Sequence, residues 1–347
     1  MKTKASVIIP TYNKASYLDL TLAGYQRQLE KNYEIVIIDD GSTDNTEQVV
    51  DEYKKLLPIK YLKKAHGGIS AARNLGVQTA ESDIIIFTDD DRIPDDTYVL
   101  AFVKMLENNP LLAMTGYRDE IYTIYDDKNI INYRNISPDV QESIRRWVGS
   151  NNCVNGYRLV SKTDIMYSYN ETIKRCMINK DPTYNFTSII KKYGMLLKKF
   201  YFPFKILSGA SMGYNRLGAL DLLHDEGFIG WGCEDSDFVY NLMERGYQFI
   251  WVAEARNHHQ CHPVDIPTQK KSFFNNLIYM CKKHMNVDMY LFYETIKGFA
   301  NNGNRDFKLD DANTVIQYLF DTEDNDPIKK LIMYSFEEWK QYISNFS

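Results

Sequence analysis

The sequence predicts an α/β fold, a mostly parallel sheet with helices on both faces, plus a helical carboxyl-terminal appendage. Three observations predict it. Over the first third, short apolar runs alternate with amphipathic stretches, which is the pattern of βαβ units. Those apolar runs end in polar or turn residues, and in open α/β sheets ligands collect at the carboxyl ends of strands. Beyond His262 the chain reads as helices alone.

In order, the elements are a strand over 6–10, a helix over 15–30, a strand over 34–39 and a helix over 43–55. A strand over 59–62, a helix over 69–79, an apolar strand over 83–88 and a helix over 95–108 follow. From 117 to 204 the pattern weakens into Tyr, Asn, Lys and Arg around Tyr122, Tyr125, Tyr133, Trp147 and Tyr157, and we read a long insertion of mixed structure. Regularity returns over 205–215 and 231–252, the latter ending in a strand over 248–252. Helices over 272–285, 289–298, 311–321 and 327–344 complete the chain as a small appended bundle. No internal repeat or low-complexity linker interrupts it.

The 347 residues, 44% of them hydrophobic, suffice for a sizeable core. With 41 Lys+Arg against 46 Asp+Glu, the net charge of -5 gives no overall electrostatic case for nucleic acid as a partner. Five cysteines form no regular framework, and the start MKTKASVIIP lacks the apolar run of a signal peptide. These features point to a reducing, cytoplasmic location. No stretch reaches the roughly 18 apolar residues of a membrane span, so peripheral contact with the inner face of a membrane stays open.

The strand over 83–88 runs into Asp89, Asp90 and Asp91. Three adjacent carboxylates repel one another, so a strand that delivers them to one point calls for a compensating cation. A divalent metal carrying a diphosphate meets that demand; the alternative is a solvated acidic turn that caps the next helix. The first strand ends at Pro10, Thr11, Tyr12 and Asn13, and the second at Asp39, Asp40 and Gly41. Adjacent parallel strands would place Tyr12 and Asp40 at neighbouring tips, where a ring stacks on a base and a carboxylate accepts its N–H groups. The glycine loop at 66–68 opens a helix carrying Arg73, whose guanidinium suits a donor phosphate or a carboxylate. Glu234 and Asp235, after Gly230, Trp231 and Gly232, are two carboxylates more than a helix cap needs.

The combination PTYN, IIDDGSTD, GGISAARNLG and FTDDDRIP resembles the family 2 glycosyltransferases of GT-A fold. GWGCEDSD resembles the WGxEDxD segment of galactosyl- and N-acetylgalactosaminyltransferases. The likeness covers about 4–116 and 205–262. It implies a Rossmann-like donor half over 1–116, an acceptor-side insertion over 117–204, an acceptor and catalytic half over 205–264 and a helical appendage over 265–347. By the same resemblance, Pro10, Tyr12 and Asp40 hold the uridine of a UDP-sugar donor. Asp89 touches ribose or metal, Asp90 belongs with the donor-binding residues, and Asp91 binds Mn2+ or Mg2+ bridging the diphosphate. Asp235 is the general base of an inverting transfer, with Glu234 orienting hydroxyls and Trp231 on the donor side.

The family often supplies a histidine to the metal after the strand over 248–252, and His259 is the best match in the run 257–263. A zinc site of His258, His259, Cys261 and His262 is a rival reading, as is a plain surface loop. Ser211 and Met212 are expected to line the donor pocket; a β-bulge in an edge strand is the alternative. Basic and aromatic residues at 145–147 and 198–202 suit an acceptor or a membrane surface, but equally a solvated face. The acceptor is a saccharide, a glycolipid or a peptide side chain. A silent sugar-nucleotide-binding protein is the non-enzyme rival. A sugar-nucleotide pyrophosphorylase is disfavoured, because its basic glycine loop is missing after the first strand.

Overall fold

Residue alternation along the first strands decides how the sheet is covered. In β1 (Ala5–Thr11), Val7 and Ile9 enter one buried cluster and Ile8 the other. β2 (Tyr33–Asp39) repeats this, with Ile35 and Ile37 opposed to Val36 and Ile38. Successive side chains point to opposite faces of a strand, so these continuous apolar runs record a sheet buried on both sides. The computed structural model describes residues 3–126, 154–178, 186–300 and 308–346, together with positions 142, 145, 146 and 149. Tyr133, Trp147 and Cys153 lie outside the described residues.

β1, β2, β3 (Ile59–Lys63) and β4 (Ile84–Thr88) run parallel. The other four strands are β5 (Arg92–Pro94), β6 (Leu112–Ile121), β7 (Ser211–Asn215) and β8 (Gln248–Gln260). β7 pairs antiparallel with both β4 and β6, β8 is parallel to β6, and β5 pairs antiparallel with β8. The order is β3-β2-β1-β4-β7-β6-β8-β5. Helices Ala15–Gln26 and Tyr98–Leu106 cover one face; helices Ile69–Thr79 and Glu234–Glu244 cover the other.

Two departures from the sequence reading matter for the site. The stretch over 205–215 holds the end of a short helix, Pro203–Ile206, and then β7, which lies in the middle of the sheet and not at an edge. β8 continues past Val252 to Gln260, so His258 and His259 lie on a strand and not in the loop after it. Its pairing with β5 sets Arg92 opposite His259, and Gln260 N donates to Asp91 O at 2.9 Å.

Helices Ile266–Lys283, Val287–Ala300, Leu309–Asp321 and Pro327–Asn345 form the carboxyl-terminal region. Leu277, Phe292, Ile316 and Trp339 belong to the same buried cluster as Ile8 and Val36, so these helices extend the core of the sheet. Among the described residues, no helix is long and apolar enough to cross a membrane.

Candidate active site

The β1 and β2 tips are tied into one surface. Asn13, held at a φ of 52°, donates its N–H to Ser42 Oγ at 2.9 Å and accepts from Thr43 N at 2.8 Å. Ala15 N donates to Asp44 Oδ2 at 3.0 Å. Asp40 is buried and accepts from Gly67 N at 2.9 Å, Gly68 N at 2.8 Å and Lys64 Nζ at 2.7 Å, so its carboxylate shapes the glycine loop. Tyr12 is 46% exposed and stacks on His66 with centroids 4.5 Å apart. Pro10 is buried in β1 opposite Ile38.

A second cluster forms where β4 meets β5 and β8. Asp91 Oδ2 lies 3.1 Å from Lys14 Nζ, 3.0 Å from His262 Nε2 and 3.7 Å from His259 Nε2. Asp91 Oδ1 is buried without a hydrogen-bond partner. Burial pushes the Asp91 carboxyl up, but Lys14 and the two histidines outweigh it and hold the group well below the usual carboxylate range. Burial and Arg92 push the His259 imidazole down to about 4, leaving it neutral and able to ligate a metal. Asp91, His259 and His262 each offer a ligand atom within 4.8 Å of the others, as do Glu120, His259 and Cys261. Asp90 is buried, and that burial raises its carboxyl to about 7.

The third cluster surrounds Arg73, which is 1% exposed. Its Nη1 donates to Asp235 Oδ1 at 2.6 Å and to Glu234 Oε1 at 3.3 Å, while Nη2 reaches Asp89 Oδ1 at 3.4 Å. One guanidinium therefore joins the β4 tip to the start of helix Glu234–Glu244. Burial would raise the Asp235 carboxyl; Arg73 and then His224 overcome this and leave it at about 2. Burial and the neighbouring Asp235 charge carry Glu234 up to about 7. Gly209 permits the close approach, since a Cβ there would stand 2.3 Å from Arg73 Nη2 and 2.7 Å from Asp235 Oδ1. Next along the helix, Asn74 Nδ2 donates to His224 O and Glu226 Oε1, both at 2.9 Å.

Residues 6–166 match the family model described as glycosyl transferase family 2. The chain is 27% identical over 292 residues to an uncharacterized glycosyltransferase, YfnE, of Bacillus subtilis (strain 168), covering 82% of this chain and 71% of that one. These likenesses support a family 2 glycosyltransferase. Over 263 residues it is 28% identical to the chondroitin synthase of Escherichia coli, covering 74% of this chain but 35% of the synthase's length. The solved structure of S. aureus TarS 1-349 in complex with UDP superposes with a TM-score of 0.54 at 15% identity, over 86% of this chain and 73% of that one. The fold is thus that of the GT-A glycosyltransferases.

Within this glycosyltransferase fold the second and third clusters adjoin at the β4 tip, where Arg92 Nε lies 4.0 Å from Asp89 Oδ2 and 3.9 Å from Asp91 Oδ1, while Asp89 and Asp235 share the Arg73 guanidinium. Ser211 and Met212 are corrected: both are fully buried in central β7, where Ser211 Oγ meets Tyr98 OH at 3.2 Å and Met212 joins the core. The small residue that approaches the acidic cluster is Gly209. The four-ligand zinc alternative fails, because strand alternation turns His258 away, to Asp95 Oδ1 at 2.9 Å. Trp231 is 55% exposed and packs on Phe273, centroids 5.8 Å apart. Sequence reasoning gave no role to Lys14, Asn74, His224 or Arg92. The partners of Lys14, Asn74 and His224 are distant in sequence, Arg92 faces Asp89 and Asp91 only because of the turn between β4 and β5, and only the run HHQCHP hinted at His262.

Proposed function

We propose that this chain transfers a sugar from a UDP-sugar to a saccharide hydroxyl, with inversion at the anomeric carbon and a divalent cation, Mn2+ or Mg2+, on the diphosphate. The observation that carries the reading is the presence of two unlike acidic centres joined at the β4 tip, Asp91 with two imidazoles and Glu234–Asp235 on a buried arginine that also reaches Asp89. The interlocked β1 and β2 loops leave the Tyr12 ring half exposed for a nucleobase, backed by His66, with Pro10 and Asp40 proposed to complete the uridine site. UDP in the TarS structure supports a uridine donor.

Asp91, whose Oδ1 makes no hydrogen bond and whose Oδ2 lies against two ring nitrogens, fits a divalent cation that Asp91, His259 and His262 would hold. Such an ion supplies Lewis-acid stabilisation of the departing diphosphate. In our proposal Asp235 removes the acceptor proton. A carboxylate at about 2 is ionised at every working pH but weakly basic. That suffices, because a hydroxyl becomes strongly acidic as its oxygen bonds to the anomeric carbon, so the proton leaves late. Attack opposite the leaving group gives inversion. Residues 1–116 serve the donor and 205–264 the catalytic side. The chondroitin synthase relative supports polysaccharide synthesis as the setting, Gal, GalNAc, Glc or GlcNAc being the sugars to test.

A screen of UDP-sugars for cation-dependent binding and slow hydrolysis tests this without an acceptor. One or more should bind only with Mn2+ or Mg2+; binding of none would refute the reading. The elevated Glu234 carboxyl favours a second assignment, Glu234 as base, under which the transfer rate would climb with pH through about 7.

A further inference from the structure

Helix Ile266–Lys283 grips the turn that delivers the acidic pair. Asn276 is buried; its Nδ2 donates to Gly232 O at 2.8 Å and Ile229 O at 3.1 Å, and its Oδ1 accepts from Ile229 N at 3.2 Å. Gly230, Gly232 and Cys233 take φ values of 77°, 100° and 71°. A Cβ on Gly232 would stand 2.6 Å from the Phe273 ring. The other flank of this segment is tied to helix Ile69–Thr79 through Asn74 and the His224 carbonyl. Residues 224–233 are therefore held at His224, whose Nε2 lies 3.7 Å from Asp235 Oδ1, by helix Ile69–Thr79, and at Ile229 and Gly232 by helix Ile266–Lys283.

On the helix side lies a groove of about 520 Å³, lined by Gly227, Ile229, Lys271, Ser272, Asn275 and Tyr279 among others. Lys271, Asn275 and Tyr279 are exposed and recur every four residues, which sets them in one row along the helix. The lining offers an ammonium, two carboxamides, three hydroxyls and one ring. These groups match the hydroxyls and apolar faces of pyranose rings. A peptide would call for an open strand edge or deep apolar pockets, and the groove walls are helix and loop.

We propose that this groove is an acceptor subsite, taking the sugar units beyond the reacting one in an oligosaccharide. The proposal rests on the glycosyl-transfer reading above. A hydroxyl placed at Asp235 leaves the rest of its chain to cross a wall of the cleft. The turn Gly230–Gly232 is separated from the acidic pair by Cys233 alone, and Asn276, which binds the Gly232 carbonyl, lines this groove.

The test titrates the full chain, with UDP and Mn2+ present, with chondroitin oligosaccharides of two, four and six sugars. Lys271→Ala/Asn275→Ala is titrated beside it, both residues being exposed, with its urea unfolding midpoint measured against wild type. We expect affinity to rise about ten-fold from two to six sugars, and this gain to vanish in the double variant. UDP affinity, read separately, isolates the donor side: a wild-type chain that fails to bind UDP sinks the glycosyl-transfer reading itself. If UDP binds but affinity does not grow with length, or the double variant keeps the gain, the groove proposal is overturned. Binding of a Ser/Thr-rich peptide that the double variant loses would overturn it in favour of a peptide acceptor.

Discussion

Two acidic centres adjoin at the β4 tip and solve the same electrostatic problem in opposite ways. Around Glu234 and Asp235 the compensating charge is permanent: Arg73 is buried, planar and bonded to both carboxylates. Around Asp91 the neighbours at Oδ2 are the Lys14 ammonium on a flexible stem and two imidazoles, while Oδ1 makes no hydrogen bond and has Arg92 Nε only at 3.9 Å. A fixed guanidinium locks a proton acceptor in place. A ring of exchangeable nitrogen donors leaves room for an ion. The difference separates a centre organised by the chain itself from one organised to receive a ligand.

Asp235→Asn should break the first centre most sharply. It keeps the shape but removes the proton acceptor, so transfer should fall about 10³-fold while UDP-sugar affinity stays within about two-fold. Single-turnover rates measured against binding titrations decide this, and retained turnover would refute the base assignment.

Arg73→Met should destabilise the fold by about 3–5 kcal/mol, since it strands buried carboxylates without a counter-charge. Urea unfolding reads this directly. Arg73→Lys should recover only part of it, one ammonium being unable to bridge Asp89, Glu234 and Asp235 at once.

Glu234→Gln should give a smaller effect whose sign depends on pH. The folded-state carboxyl lies at about 7, against 4.5 ordinarily. Native Glu234 therefore contributes stability that is present below about 4.5 and lost as pH rises through about 7. The amide does not titrate, so the variant should gain about 1–3 kcal/mol relative to wild type between pH 5 and pH 8. Parallel stability curves at the two pH values would show that Glu234 is not raised.

The donor half was legible in the sequence because its signals are local. The helix over Ile69–Thr79 has the predicted bounds, and β1, β2 and β4 each lie within one residue of the expected ends. Apolar alternation and glycine turns write these elements into short windows. The site's wiring was less legible, since it comes from pairing register. Asp91 meets His259 because β5 and β8 lie side by side, and β8 was expected to stop at Val252. Ser211 and Met212 misled because a run of small residues fits a loop and a buried strand equally well. The link from Asn276 to the Gly230–Gly232 turn joins residues 44 or more apart, and no local pattern announces it.

The central claim is that Asp91 holds the cation on which donor binding depends. Calorimetric titration of UDP into wild type and Asp91→Asn, each with Mn2+ and with chelator, tests it most directly. We predict that Mn2+ tightens UDP binding to wild type by at least about ten-fold and has no effect on the variant. An equal Mn2+ enhancement in both proteins would contradict the account.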